Sequence, residues 1–355
     1  MPKLRHLLVV RTDHLGDMLL TLPMVHAVKA AQPACRVTVL ASAANAEAAR
    51  HHPAVDAVAI DPREAKGSGL RGVGPLARQI RALGCDAAVI VHPTPRLALA
   101  VYLAGVPLRV GTAYRAYSFL FNRRVHEHRR RPPQKHESEY NLNLLQPLDI
   151  NPPAATQVTW EVGAAESAVV VALLRVSDAL DAQLVVLHPG SGGSAMNWSP
   201  AQYGDLGRRL ASHRVRIAVT GSAQETALTA QVATAIGAAA LDFGGRLNLP
   251  ELAALLARSA LVVGSSTGPT HLAAALGTPV VALYPPLRSS NPQRWRPLGP
   301  RVRVLQPSLD LVCPRCLGAR CPYYHCMEKH LTVETVEAAA RQVLERRHAA
   351  APAPR

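Results

Sequence analysis

The chain has 355 residues, 48% of them hydrophobic and only 4% aromatic, which excludes a disordered polypeptide and allows two domains of ordinary size. A formal charge of +15 points to an anionic partner (nucleic acid, an acidic membrane surface or a phosphorylated small molecule), although a GC-rich genome also inflates Arg and Ala. No apolar stretch reaches the ~20 residues of a membrane-spanning helix, and the run Leu7–Val10 is too short for a signal peptide. A cytosolic protein, touching a membrane at most from the inside, is expected.

In chain order, residues 4–10 read as a buried parallel strand, followed by the loop Arg11-Thr12-Asp13-His14-Leu15-Gly16-Asp17 and a helix over 17–31 that ends before Pro33. A strand at 36–41, a helix at 44–51, a short strand at 57–60, a Gly-rich loop at 66–74, a helix to Leu83 and a strand at 86–91 continue the alternation. Such regular succession means a parallel sheet with helices on both faces. The basic segment 122–139, with Pro132-Pro133 inside it, reads as a loop or flap, and 151–156 as an interdomain linker. The rhythm then restarts. A strand at 183–188 leads through a loop to Ser199-Pro200, a helix cap followed by proline at the first helical position. Further strands at 215–220 and 241–243 alternate with helices at 200–213, 224–236 and 250–258, and a terminal helix covers 333–347 before a frayed tail.

The most informative segment is Gly264-Ser265-Ser266-Thr267-Gly268-Pro269-Thr270-His271, between the buried strand Leu261–Val263 and a second apolar run, 278–284. Its small residues open a helix at Gly268 or Pro269, and a helix start of this kind offers unpaired N–H groups and partial positive charge to a phosphate or carboxylate. The cluster Gly190-Ser191-Gly192-Gly193-Ser194 offers a second set of amides able to approach phosphate closely, although a glycine cluster taken alone is as readily an ordinary loop.

These loops resemble glycosyltransferase family 9, the ADP-heptose:lipopolysaccharide heptosyltransferases of Gram-negative bacteria. Four features carry the resemblance, in the right order over nearly the whole chain: Arg11 through Asp17 with Leu22-Pro23; His188-Pro189-Gly190 through Asn197-Trp198; Thr220-Gly221 through Glu225; and Ser266 through Ala273. The resemblance implies an α/β GT-B fold of two Rossmann-like αβα domains facing each other across a cleft. The expected divisions are an acceptor-binding domain at 1–155, a nucleotide-sugar domain at 156–330, a closing helix at 331–348 and a tail at 349–355. It also implies an inverting transfer of heptose or a related sugar from a nucleotide donor, ADP-heptose above all, with no cofactor needed for the chemistry. The acceptor would be a lipopolysaccharide core precursor or another anionic glycan, met at the cytoplasmic face of the inner membrane.

Inversion needs a base that takes the acceptor hydroxyl proton on the face opposite the leaving nucleotide. Asp17 matches the position of the family's base, with a helix-capping role as its alternative; Asp13 is second choice and otherwise shapes the turn. Donor contacts are expected from Ser191, Gly192, Met196, Glu225 (near the ribose), Ser266, Thr267, Gly268 and His271, the last facing either the cleft or the sheet. Acceptor contacts are expected from Arg11, Asp13, Arg129, Arg130 and Arg131, unless the flap is only a solvated charged loop. Two departures mark a divergent branch: Met196 stands where characterised members carry lysine, and Ser266 where they carry aspartate. Arg11 or Arg288 would have to replace the missing cation.

Cys313, Cys316, Cys321 and Cys326 form C-x2-C-x4-C-x4-C beside His325 and His330, a density suited to zinc or iron, with reduced structural thiols as the alternative. Three other functions remain in view: a GT-B sugar-nucleotide epimerase, a basic nucleic-acid-binding protein, and a nucleotide-binding module without catalysis. No interleaved aromatics or reading motif support the second, so no nucleic-acid partner is expected.

Overall fold

The computed structural model describes residues 3–62, 70, 72–129, 134–151, 158–193, 196–212, 214–309 and 313–350. Arg130, Arg131, Ser194, most of the Gly-rich loop and nearly all of the expected linker lie outside the described residues. The chain divides into two units, Met1–Glu161 and Val162–Arg355. Residues 158–161 belong with the first unit for a local reason. The Trp160 ring stacks on His51 at 4.9 Å, and the Glu161 amide donates to the His51 carbonyl at 2.9 Å.

The first unit is built on β1 (His6–Val10), β2 (Arg36–Ala41), β3 (Ala57–Ile60), β4 (Ala87–Ile90), β5 (Leu108–Thr112) and β6 (Arg123–Val125). All pairings are parallel, in the order β3-β2-β1-β4-β5-β6. Its helices are α1 (Leu15–Leu19), α2 (Pro23–Ala31), α3 (Ala46–Arg50), α4 (Val73–Leu83), α5 (Pro95–Leu103) and α6 (Glu137–Leu142). The central strands are apolar at nearly every position because both faces of the sheet are covered: after His6, Leu7, Leu8, Val9 and Val10 are wholly buried. Leu8, Val10, Leu76, Ile80, Ile90, Leu97 and Phe121 share one core.

The single helix expected over 17–31 is two. Pro23 has no N–H and its ring would meet the carbonyl four residues back, so the chain turns at Leu20–Leu22 and restarts with Pro23 in the first turn of α2. The segment read as a basic flap contains β6, an exposed Arg-Arg-Val edge strand, and the beginning of α6. Charged side chains suit such an edge because they discourage pairing with another chain.

The second unit repeats the plan. Strands β7 (Gln183–His188), β8 (Val215–Val219), β9 (Ala240–Asp242), β10 (Leu261–Ser265), β11 (Val280–Leu283) and β12 (Val302–Leu305) lie parallel in the order β12-β11-β10-β7-β8-β9. Renumbered from its own first strand and read from the other edge, this is again 3-2-1-4-5-6, the doubly wound dinucleotide-binding order. Helices α7 (Ala164–Val176), α8 (Pro200–Leu210), α9 (Thr226–Ile236), α10 (Leu249–Arg258), α11 (Gly268–Ala275), α12 (Pro292–Trp295), α13 (Cys326–Lys329) and α14 (Val333–Ala350) accompany it. The last helix packs Val336, Ala339 and Ala340 into the core with Leu187, Tyr203, Val263 and Val281. Among the described residues, no helix is long and apolar enough to cross a membrane.

Candidate active site

In a sheet of this order, ligand loops collect where neighbouring strands send their connections to opposite faces, at the carboxyl ends of the two central strands. That point lies between β1 and β4 in the first unit and between β7 and β10 in the second. Arg11, Asp13 and Asp17 follow β1, and His92 follows β4. Gly190 to Met196 follow β7, and Ser266 to His271 follow β10.

In the first unit Arg11 is the organising side chain. It is only 1% exposed, and a buried guanidinium is tolerable only when paired. Its Nε donates to Asp13 Oδ1 at 2.6 Å, one Nη donates to Asp17 Oδ1, and the other Nη lies 3.7 Å from Glu137 Oε1. Glu137 is itself wholly buried and takes a second cation, Arg129, at 2.9 Å. His92 Nδ1 lies 3.5 Å from Asp13 Oδ2. Two guanidiniums thus hold three carboxylates. For Asp17, burial works against ionisation, Arg11 favours it, and Asp13 and Glu137 oppose it; the result is a carboxyl pushed up to about 6. Burial pushes His92 down, with Arg11, Arg129 and Arg115 adding to the effect against the pull of Asp13.

The loop is fixed from outside as well. Asn45 donates from Nδ2 to the Asp13 carbonyl at 3.1 Å, and Thr21 Oγ1 donates to the Asp17 carbonyl at 2.8 Å. Next to this cluster is a cavity of about 210 Å³ whose polar lining includes His92, Tyr114, Arg115, Glu127, His128 and Arg129. Tyr114 and His128 stack at 3.6 Å on one wall. The sequence did not single out Glu137, His92, Tyr114 or Arg115. A buried glutamate four residues before a buried asparagine was the available signal for Glu137, but it needs the fold to acquire meaning.

In the second unit the loop after β7 closes on Glu225. The Gly192 amide donates to Glu225 Oε1 at 3.0 Å, and the Ser222 amide and hydroxyl each donate to Oε2 at 2.9 Å. Burial raises the Glu225 carboxyl, but those amide bonds outweigh it and hold the group below its ordinary value. A Cβ on Gly190 would collide with the Glu225 carboxylate, so a side chain there requires that carboxylate to shift from its amide partners. Beneath it, His188 shares a 2.9 Å hydrogen bond with Thr220, and burial pushes it down to about 4 against the pull of Glu225.

Thr267 precedes α11, its amide donating to Thr270 Oγ1 at 3.2 Å, and Pro269 fits the first turn. Gly264 lets β10 lie close to β7; a Cβ there would come within 3.2 Å of the His188 carbonyl oxygen. Ser266 is half-buried, and His271 is buried, 6% exposed. Met196, expected among the donor contacts, is half-buried and packs against the core, while the neighbouring Trp198 donates from Nε1 to the Leu331 carbonyl at 2.8 Å. Arg11, one of the two cations considered in place of the lysine, is paired with Asp13 and Asp17; the other, Arg288, is exposed.

Cys313, Cys316, Cys321 and Cys326 show, among the described residues, no assembled ligand set for the zinc or iron considered for them. Among the described residues no three His, Cys, Asp or Glu side chains are placed to hold a metal ion. All four cysteines are free: Cys313 and Cys326 are buried, Cys321 is half-buried and Cys316 is exposed. Cys313 is tied into a bridge beside Leu287, and Cys316 Sγ accepts from the Gly318 amide at 3.4 Å. Burial pushes the Cys313 and Cys326 thiols up, and the neighbouring cysteines add to the shift.

Two doubly wound units, one with a buried carboxylate cluster and the other with glycine-rich and helix-start amides at the corresponding strand ends, define a GT-B glycosyltransferase. The model of glycosyltransferase family 9 (heptosyltransferase) matches residues 73–326, and the chain belongs to that family. A putative glycosyltransferase of Haemophilus influenzae is 28% identical over 300 residues, covering 82% of this chain and 86% of that protein. Lipopolysaccharide heptosyltransferase 2 of Escherichia coli K12 is 23% identical over 312 residues, covering 84% and 87%. The structure of E. coli ADP-heptose LPS heptosyltransferase II superposes with a TM-score of 0.80 at 20% identity, over 97% of this chain and 99% of that one. The family assignment selects the transferase reading over epimerase, nucleic-acid-binding and non-catalytic alternatives.

Proposed function

We propose that the chain is an inverting transferase that moves heptose from ADP-heptose to a lipopolysaccharide core or related anionic glycan, with Asp17 as the base. One observation carries the reading: a carboxylate at the central switch point, pinned by a buried arginine and pushed up to about 6. It is ionised at neutral pH yet basic enough to accept a proton.

Asp17 takes the acceptor hydroxyl proton as that oxygen attacks the anomeric carbon from the side opposite ADP. The bond from the anomeric carbon to the diphosphate oxygen breaks, and the electron pair leaves with ADP. Charge developing on the diphosphate is met by amides of the Gly190–Gly193 loop and of the α11 start, with Ser191, Ser266 and Thr267 as hydroxyl donors. Glu225 would exchange its hold on the Gly192 amide for the ribose hydroxyls. No metal is needed in this scheme, because base and anion donors are both the chain's own.

The acceptor reading rests on the cavity beside Asp13, where Arg115 and Arg129 suit an anionic sugar and the Tyr114–His128 stack suits a sugar ring. Similarity to the E. coli lipopolysaccharide heptosyltransferase 2 and ADP-heptose LPS heptosyltransferase II supports the donor and the acceptor class. The +15 charge favours peripheral contact with the anionic inner face of the inner membrane. The test is Asp17→Ala, assayed for ADP release from ADP-heptose with heptose-deficient lipopolysaccharide. Turnover should fall by roughly 10³-fold or more while ADP still binds; near-normal turnover removes Asp17 from the mechanism.

A further inference from the structure

We infer that Glu137 is a positioning residue of the transfer reaction, a buried bridge that ties the arginine holding the base to the arginine lining the acceptor cavity. The inference rests on the reading of Asp17 as base.

Glu137 lies 120 residues from Asp17 in the chain, and its location is built with care. His136 caps α6, accepting from the Ser138 amide at 3.3 Å, while the His136 amide donates to Glu139 Oε2 at 3.3 Å. One turn on, Asn141 donates from Nδ2 to the Leu20 carbonyl at 3.1 Å and to Thr21 Oγ1 at 3.3 Å. Asn141, four residues after Glu137, therefore clamps the segment joining α1 to α2, and Thr21 in turn holds the Asp17 carbonyl.

A wholly buried carboxylate is costly unless it is paired and functions as part of a network. A leucine or methionine would fill the space more cheaply if packing were the only requirement. Glu137 instead contacts Arg129 at 2.9 Å, which also lies 3.4 Å from Asn141 Oδ1 and over the Tyr140 ring at 6.0 Å. Its other cation is Arg11 at 3.7 Å. Arg11 aims Asp17; Arg129 faces the cavity. Glu137 joins the two jobs.

The groups facing Asp17 are Arg11 at the end of β1, Asp13 and His14 in its own loop, and Glu137 from α6; His92 and Arg129 stand one contact further out. Among these, Glu137 adds negative charge that helps Asp17 keep its proton. Glu137→Gln removes the charge and keeps the shape. The acid limb of kcat/KM should move to lower pH by about 0.5–1 unit, with kcat/KM at pH 8 down roughly tenfold and the acceptor KM raised. ADP affinity should not change. Arg129→Met covers the case in which Glu137→Gln fails to fold, since Arg129 is part-exposed and its loss spares the buried pair. Glu137 then has Arg11 as its remaining cation and draws it from Asp17, so the acid limb should move upward and the acceptor KM should rise.

Both variants are assayed with ADP-heptose and heptose-deficient lipopolysaccharide beside Asp17→Asn. An acid limb that stays put in the folded variants overturns the role of Glu137. If Asp17→Asn itself turns over normally, the base assignment fails instead, and the two failures are distinguishable.

Discussion

Asp17 is caught between opposed forces: burial, Asp13 and Glu137 favour its proton, and Arg11 favours its charge. The folded chain holds that proton up to about 6, whereas an unstructured chain releases it near the ordinary 3.8. Between those values the folded state binds more protons, so stability falls as pH rises through the window and the penalty is complete above it. Asp17→Asn should therefore raise stability at pH 8 by ~1–3 kcal/mol, the gain fading towards pH 4, as read by denaturant unfolding at several pH values. A lowered midpoint at pH 8 would contradict this balance. In the wild-type enzyme the same titration predicts that kcat/KM declines below about pH 6, because the base must be ionised to act. Arg11, Asp13 and Asp17 were legible in the sequence because they share one seven-residue loop. Glu137 and His92 were not, because topology alone brings α6 and the end of β4 to that loop.

Elements were legible where a single local rule governed them. Ser199-Pro200 announced α8, whose capping serine accepts from the Gln202 amide at 3.3 Å. The apolar runs announced the central strands, since burial on both faces demands them. The edge strand β6 escaped: it contains two arginines in three residues, and neither periodicity nor apolar composition marks it. In the cysteine segment, spacing alone does not fix where the thiols point. Its spacing suggested convergence, but the backbone sends Cys313 and Cys326 inward and Cys316 outward. The glycine loop after β7 yields a sharper test than its composition promised. Gly190→Ala would drive a methyl group into Glu225 and dislodge the loop. ADP binding, measured by calorimetry, should weaken about tenfold or more, a loss of ~1.4 kcal/mol. Unaltered affinity would mean that the loop does not hold the diphosphate.

Across the molecule, the same strand order occurs twice, and in each unit the chemistry gathers at the carboxyl ends of the central pair. The alternation of strand and helix made this plan readable, although α5, α7, β5 and β12 went unnoticed within it. A thermal-shift panel of ADP, UDP, GDP and their sugars tests the donor assignment for the whole chain. ADP species at 100 times their dissociation constant should stabilise by ~2.7 kcal/mol, a rise of roughly 2–4 °C, while the other nucleotides leave the midpoint near its starting value. Equal shifts from all three bases would remove adenine selectivity.

Met196 and Ser266 stand on connections beyond β7 and β10, while the strands beneath them are sealed by close-packed aliphatic side chains. Selection can therefore change these connections without disturbing the frame that carries them. A lineage that exchanges residues on such connections keeps its ancestry visible in the frame.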